Sequence, residues 1–126
     1  MDEDQTSSLY QSLGGEAAVM AAVEIFYERV LADPLTKPFF TGIDMAQQTK
    51  KQIAFMTWAF GGPAEYKGRD LRSAHAPLVE RGLSDPHFDA IASHLDATLR
   101  ELGVADELIV QSLAIVGGTR SEVLNR

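Results

Sequence analysis

The chain has 126 residues, enough for one domain that buries roughly two-thirds of its unfolded surface in a single core. Eleven lysines and arginines against eighteen aspartates and glutamates leave a net charge of −7. That sign repels phosphate backbones and anionic lipid, so nucleic acid and membrane surfaces are poor partners. With no cysteine, disulfides, thiolate catalysis, iron–sulfur clusters and cysteine-type zinc sites are excluded.

No apolar run approaches the ~18 residues of a membrane-spanning helix. The opening MDEDQTSS is acidic and polar, unlike a signal peptide. Residues 1–8 are expected to be a flexible extension of a cytoplasmic protein, and residues 9–126 its single domain. Ser7 or Ser8 can cap a short helix that stops at Gly14-Gly15. From Glu16 to Ala32 the apolar residues fall at 19, 22, 23, 26, 27, 30 and 31, a helical stripe ended by Asp33-Pro34. Pro34 can open one helical turn ending near Phe39-Phe40. Asp44, with Gln47 three residues on, resembles a capping box for a helix running to Phe60, where Gly61-Gly62-Pro63 breaks it.

Residues 61–70 read as a loop, and 71–81 as a short helix interrupted by Pro77. Asp85-Pro86 starts another helix, with apolar residues at 88, 91, 92, 95, 99 and 102 and a stop at Gly103. Asp106 can cap a last helix over about 107–117. Alternating strand patterns are absent, so the fold class is all-α, with about five main helices and a long central loop.

The informative polar residues are those on apolar stripes. His87 and His94 fall far round from the stripe of their helix and read as solvated surface histidines. His75 has Leu71, Ala74, Leu78 and Val79 at −4, −1, +3 and +4, so it points at the core. A lone buried histidine is more often a satisfied core residue than a ligand, and both readings stay open. No HxxxH or HExxH spacing exists, so a metal on His75 would have it as sole protein ligand, as haem iron does. Gln48, Gln52, Phe55 and Ala59 share one helix face, either a polar boundary or a pair of amides looking into an apolar cavity. Tyr27 lies on the stripe beside Val23, Phe26 and Val30, and its hydroxyl needs a partner if buried. A buried imidazole, two amides and a phenol in a small helical core together suit a haem pocket.

The chain resembles a group I truncated haemoglobin. The resemblance rests on Leu9-Tyr10-Gln11-Ser12-Leu13-Gly14-Gly15, Phe26-Tyr27-Glu28-Arg29-Val30-Leu31, Phe39-Phe40 and Asp44-Met45-Ala46, in that order. It continues through Ala59-Phe60-Gly61-Gly62, Leu71 to Val79 with its Ser73-Ala74-His75-Ala76-Pro77, and His87-Phe88-Asp89. It implies a truncated globin fold, a two-over-two helical sandwich around haem b, which the departure at Thr119 described below would leave non-covalent. It makes His75 the proximal iron ligand, Tyr27 the distal tyrosine, and Gln48 and Gln52 the amides supporting that tyrosine or the bound gas. Phe40 would pack on the porphyrin, Phe55 would line the pocket or a gas tunnel, and Leu71, Val79, Phe88 and Ile91 would be walls. Lys51 would sit at the mouth near a haem propionate, with Lys50, Lys67, Arg69 and Arg72 as further candidates.

Two departures follow. Lys51 stands where some cyanobacterial members carry a distal histidine, so bis-histidine ligation should be absent, although a neutral Lys51 amine could itself reach iron. Thr119 stands where those members have a histidine that bonds haem covalently. The ligands implied are O₂, NO and CO, held by a monomer. Two or three hydrogen bonds from Tyr27, Gln52 and Gln48, at about 1–1.5 kcal/mol each, would make O₂ release slow. Slow release suits NO dioxygenation with an external reductase, since no flavin or nicotinamide domain is expected here. Oxygen storage or transport, or gas or redox sensing, is the alternative.

Overall fold

A computed structural model describes residues 9–62 and 68–126, and the side chains of all of these except 68–70. The expected extension 1–8, the caps at Ser7 or Ser8, Pro63, Lys67 and the Arg69 side chain lie outside that description. Among the described residues seven helices follow in order: α1 (Leu9–Leu13), α2 (Glu16–Ala32), α3 (Met45–Ala59), α4 (Gly68–Glu80), α5 (Asp85–Glu101), α6 (Asp106–Gly117) and α7 (Arg120–Val123). A 3₁₀ turn, Lys37–Phe40, lies between α2 and α3. No strand occurs among the described residues.

The stripe of α2 is the spine of the fold. Val19, Ala22, Val23, Phe26, Tyr27 and Val30 are all buried, because a 3.6-residue period puts them on one face. α2 packs on α3 and on α5, and α5 packs on α6, which is the two-over-two arrangement. Val23, Val30, Leu95 and Ile109 are at most 2% exposed, each burial worth roughly 1.5–3 kcal/mol. The buried hydroxyls are satisfied locally. Thr98 donates to the His94 carbonyl at 2.7 Å, Ser112 to that of Leu108 at 2.8 Å and Thr36 to that of Val30 at 2.7 Å.

α1 is docked by its backbone: the Tyr10 N–H donates to the Phe60 carbonyl at 2.7 Å. The second glycine of the pair after α3 makes this possible. A Cβ on Gly62 would stand 2.7 Å from the Tyr10 ring and 2.8 Å from Thr57 Cγ2.

Several local expectations shift. The piece expected to open at Pro34 begins at Lys37, with 34–36 as turn, because Asp33 first caps Leu35 N–H at 2.9 Å. Asp44 does cap α3, its carboxylate accepting from Ala46 and Gln47 N–H. α4 starts at Gly68 rather than 71, and runs through Pro77. Asp106 is not the cap of α6 but its first residue, where its charge favours the helix N-terminus. α7 lies beyond the expected end of helix at 117.

Candidate functional site

Two separate groups of side chains carry the polar atoms singled out from the sequence. The first is on α2 and α3. Tyr27 is 5% exposed, and its hydroxyl accepts from Gln48 Nε2 at 3.1 Å and donates to Gln52 Oε1 at 3.4 Å. The spacing of four on α3 puts both amides over the same turn of α2. Burial pushes the Tyr27 pKa up to about 12, partly opposed by the Gln48 hydrogen bond. The phenol is therefore neutral and a donor. Because Gln48 occupies an oxygen lone pair, the hydroxyl proton points elsewhere. Its bond to Gln52 is long and weak, so the proton is easily handed to a better acceptor. Phe40, from the 3₁₀ turn, meets the Tyr27 ring edge-on at 5.6 Å.

The second group is on α4, where Leu71 is buried and His75, Leu78 and Val79 are half-buried. His75 Nδ1 lies 2.8 Å from the Leu71 carbonyl oxygen. A carbonyl only accepts, so Nδ1 carries the hydrogen and the Nε2 lone pair is left for a ligand. Burial holds the His75 pKa below the ordinary histidine value, the Leu71 hydrogen bond opposing in part. The ring is thus a neutral base with its tautomer fixed. α4 packs chiefly on α7, whereas α2 packs chiefly on α3 and α5 and also meets α1 and the 3₁₀ turn. Leu71 and Phe88 are buried but stand outside the main core cluster. A neutral imidazole on one apolar layer, and a phenol with two amides on another, are a donor set that would suit a flat apolar metal-bearing group, His75 supplying its protein ligand and the phenol and amides hydrogen bonds.

The remaining candidates divide. Val79 and Ile91 are partly buried, and Ile91 packs on the core. Phe55 also packs on the core and tilts against Trp58 at 6.2 Å. Lys50 and Lys51 are exposed on α3. Arg72 already faces Glu122 at 3.7 Å, which weakens it as a partner for an anionic ligand. A cavity of about 150 Å³ lies among Leu13, Ala18, Val19, Met56, Phe60, Leu95 and Leu99, among others; it reaches neither His75, Tyr27 nor Phe55.

His87 and His94 are not the solvated histidines expected. His94 Nε2 sits 2.7 Å from Asp33 Oδ2, with side-chain exposures of 20% and 24%. Asp33 comes from the end of α2, 61 residues away, so nothing local in the sequence announces the pair. His87 Nδ1 accepts from Ser84 N–H at 3.0 Å, completing a capping box, and its ring meets Phe39 at 4.9 Å. Here the Ser84-x-x-His87 spacing was a legible signal. Arg120 was also missed: its guanidinium lies 4.4 Å from the Phe88 ring centre, between Asp85 and Asp89.

Residues 8–125 match the family model for bacterial-like globins. The chain is 50% identical to a group 1 truncated hemoglobin, GlbN, of Synechocystis, over 95% of this chain and 99% of that protein. It superposes on the 2/2 hemoglobin of Synechococcus sp. PCC 7002, which carries covalently attached heme, with a TM-score of 0.91. Identity there is 53%, over 95% of this chain and 100% of that one. Against the Fe(III) truncated hemoglobin of Tetrahymena pyriformis the TM-score is 0.86 at 45% identity, over 94% and 98% of the two chains. By the family model over nearly the whole chain, the identity to these relatives and the shared two-over-two fold, the chain belongs to the group 1 truncated haemoglobins, a bacterial-type globin family of haem and oxygen binding.

Proposed function

We propose that this chain holds haem b non-covalently, with His75 as the residue that would bind its iron, and binds O₂, NO and CO as a monomer in the cytoplasm. The observation that carries the reading is the fixed tautomer of His75, with Nδ1–H spent on Leu71 and Nε2 left free. Haem, when bound and ferrous, supplies the position at which such gases bind. Leu71, Val79, Phe88, Ile91, Phe40 and Phe55 would bound the porphyrin, and Lys51 would meet a propionate at its edge. Thr119 offers no imidazole for a covalent link, its hydroxyl donating to the Val116 carbonyl at 2.6 Å. The exposed large apolar residues, Met20, Leu35, Ile43, Trp58, Leu102 and Val110, are dispersed over several elements, which supports a monomer.

On the other wall, Gln48 orients Tyr27, and Tyr27 with Gln52 presents donors to a gas that develops negative charge. Preorganised donors of this kind retard O₂ escape, which suits chemistry on bound gas better than carriage. The role best matched is NO dioxygenation, net NO + O₂ + one electron giving nitrate, the electron coming from a separate reductase.

Visible spectra of the haem-loaded protein test the site first. The reduced, oxygen-free form should be five-coordinate and convert in air to a stable oxy spectrum. His75→Gly should lose that spectrum and recover it with added imidazole. A six-coordinate low-spin reduced spectrum overturns the open site and makes Lys51 the first suspect. Oxy protein that does not yield nitrate with NO overturns the dioxygenase role alone.

A further inference from the structure

The C-terminal residues are tied to the His75 helix by more than apolar packing. α7 packs on α4, and Leu124 is buried. Asn125 has φ of 59°, the one non-glycine residue with left-handed backbone among those described. Asparagine tolerates that conformation better than most residues. It turns the Asn125 side chain onto α4, where Nδ2 donates to the Arg72 carbonyl at 3.0 Å. The same amide nitrogen is 3.4 Å from the Glu122 and Val123 carbonyls. All three neighbours are acceptors, so only the NH₂ end fits there.

The position on α4 matters. Arg72 adjoins Leu71, whose carbonyl holds His75 Nδ1. On the other side of His75, Pro77 lies within the helix and has no N–H, leaving the Ser73 carbonyl without its helical donor. The turn of α4 that carries His75 is therefore short of one helical bond, and it is braced from the Arg72 end. The tail is separately tied to α5, by ion pairs that do not involve α4. Arg120 binds Asp85 and Asp89 at the start of α5, and Arg126 binds Asp85 at 2.7 Å.

We infer that Asn125 is a positioning residue, whose amide holds the Leu71–Arg72 turn of α4 and through it the orientation of the His75 ring. This rests on the reading of His75 as axial ligand. Two variants of the haem-loaded protein isolate the amide. Asn125→Gly keeps the left-handed backbone and removes the side chain. Asn125→Asp keeps its shape and removes the N–H donors. Arg126→Ala is the control, cutting a tail anchor without touching α4.

The readouts are the iron–histidine stretching band of the reduced protein, the rate of haem loss to a scavenger, and Tm. Both Asn125 variants should shift the band and speed haem loss about fivefold, which corresponds to one hydrogen bond of ~1 kcal/mol. Arg126→Ala should lower Tm and leave the band in place. Asn125 variants that lower Tm with the band and haem loss unchanged overturn the inference and leave His75 as ligand. A wild-type protein with no iron–histidine band overturns both.

Discussion

Replacing Tyr27 by phenylalanine isolates the hydroxyl that the site is built around. The ring stays, since its packing against Phe26 at 5.2 Å and Phe40 at 5.6 Å involves carbon alone. What is lost is one donor, already oriented by Gln48 at 3.1 Å and held only loosely by Gln52 at 3.4 Å. Because that second bond is long, redirecting the proton to a bound gas gives up little, and the variant forfeits nearly the whole gain. One net hydrogen bond of about 1–1.5 kcal/mol corresponds to O₂ leaving roughly 5–13 times faster. Removing Gln52 as well, in Tyr27→Phe/Gln52→Leu, should bring the acceleration to about 30–150-fold for two bonds. Gln48→Leu acts through the tyrosine and should fall below the single Tyr27 effect. The assay is stopped-flow displacement of O₂ from the reduced, oxygenated protein. An unchanged O₂ dissociation rate in Tyr27→Phe would refute the idea that this phenol faces the gas.

The same hydroxyl predicts a pH effect on stability. Its pKa is 10.0 unfolded and about 12 folded, so the folded state keeps a proton that the unfolded state has lost. Stability from this group is complete below pH 10 and declines by about 2–3 kcal/mol as pH rises to 12. Urea titrations across that range should show a steeper loss for the wild type than for Tyr27→Phe; parallel curves would contradict the raised pKa. Gly62→Ala should cost about 1–3 kcal/mol, because its Cβ would meet the Tyr10 ring at 2.7 Å and push α1 off the end of α3. Thermal unfolding reads this as a Tm lowered by several degrees, and an unchanged Tm would mean that α1 is not docked there.

Helix identity was legible because it depends on periodicity and punctuation, both local. The α2 stripe, the Gly14-Gly15 stop, the Asp44 cap and the Gly103 stop can each be read within a few residues. The inward aim of His75 was legible for the same reason, its neighbours at helical spacing being apolar. So was the shared face of Gln48 and Gln52. α4 starts earlier than its apolar stripe because a glycine-bearing, charged stretch reads as loop, whereas helix once nucleated extends beyond the stripe.

Partnership across the chain was decided only by the tertiary structure. The Asp33–His94 pair joins residues 61 apart, and the hold of Asn125 on Arg72 spans 53. No periodicity encodes such pairs, because a surface stripe and a stripe covered by another helix look alike in one dimension. The folding of the C-terminal tail onto the His75 helix depends on where α4 and α5 come to rest. Sequence therefore specified the chemistry available on each helix, and packing chose which of those groups face one another.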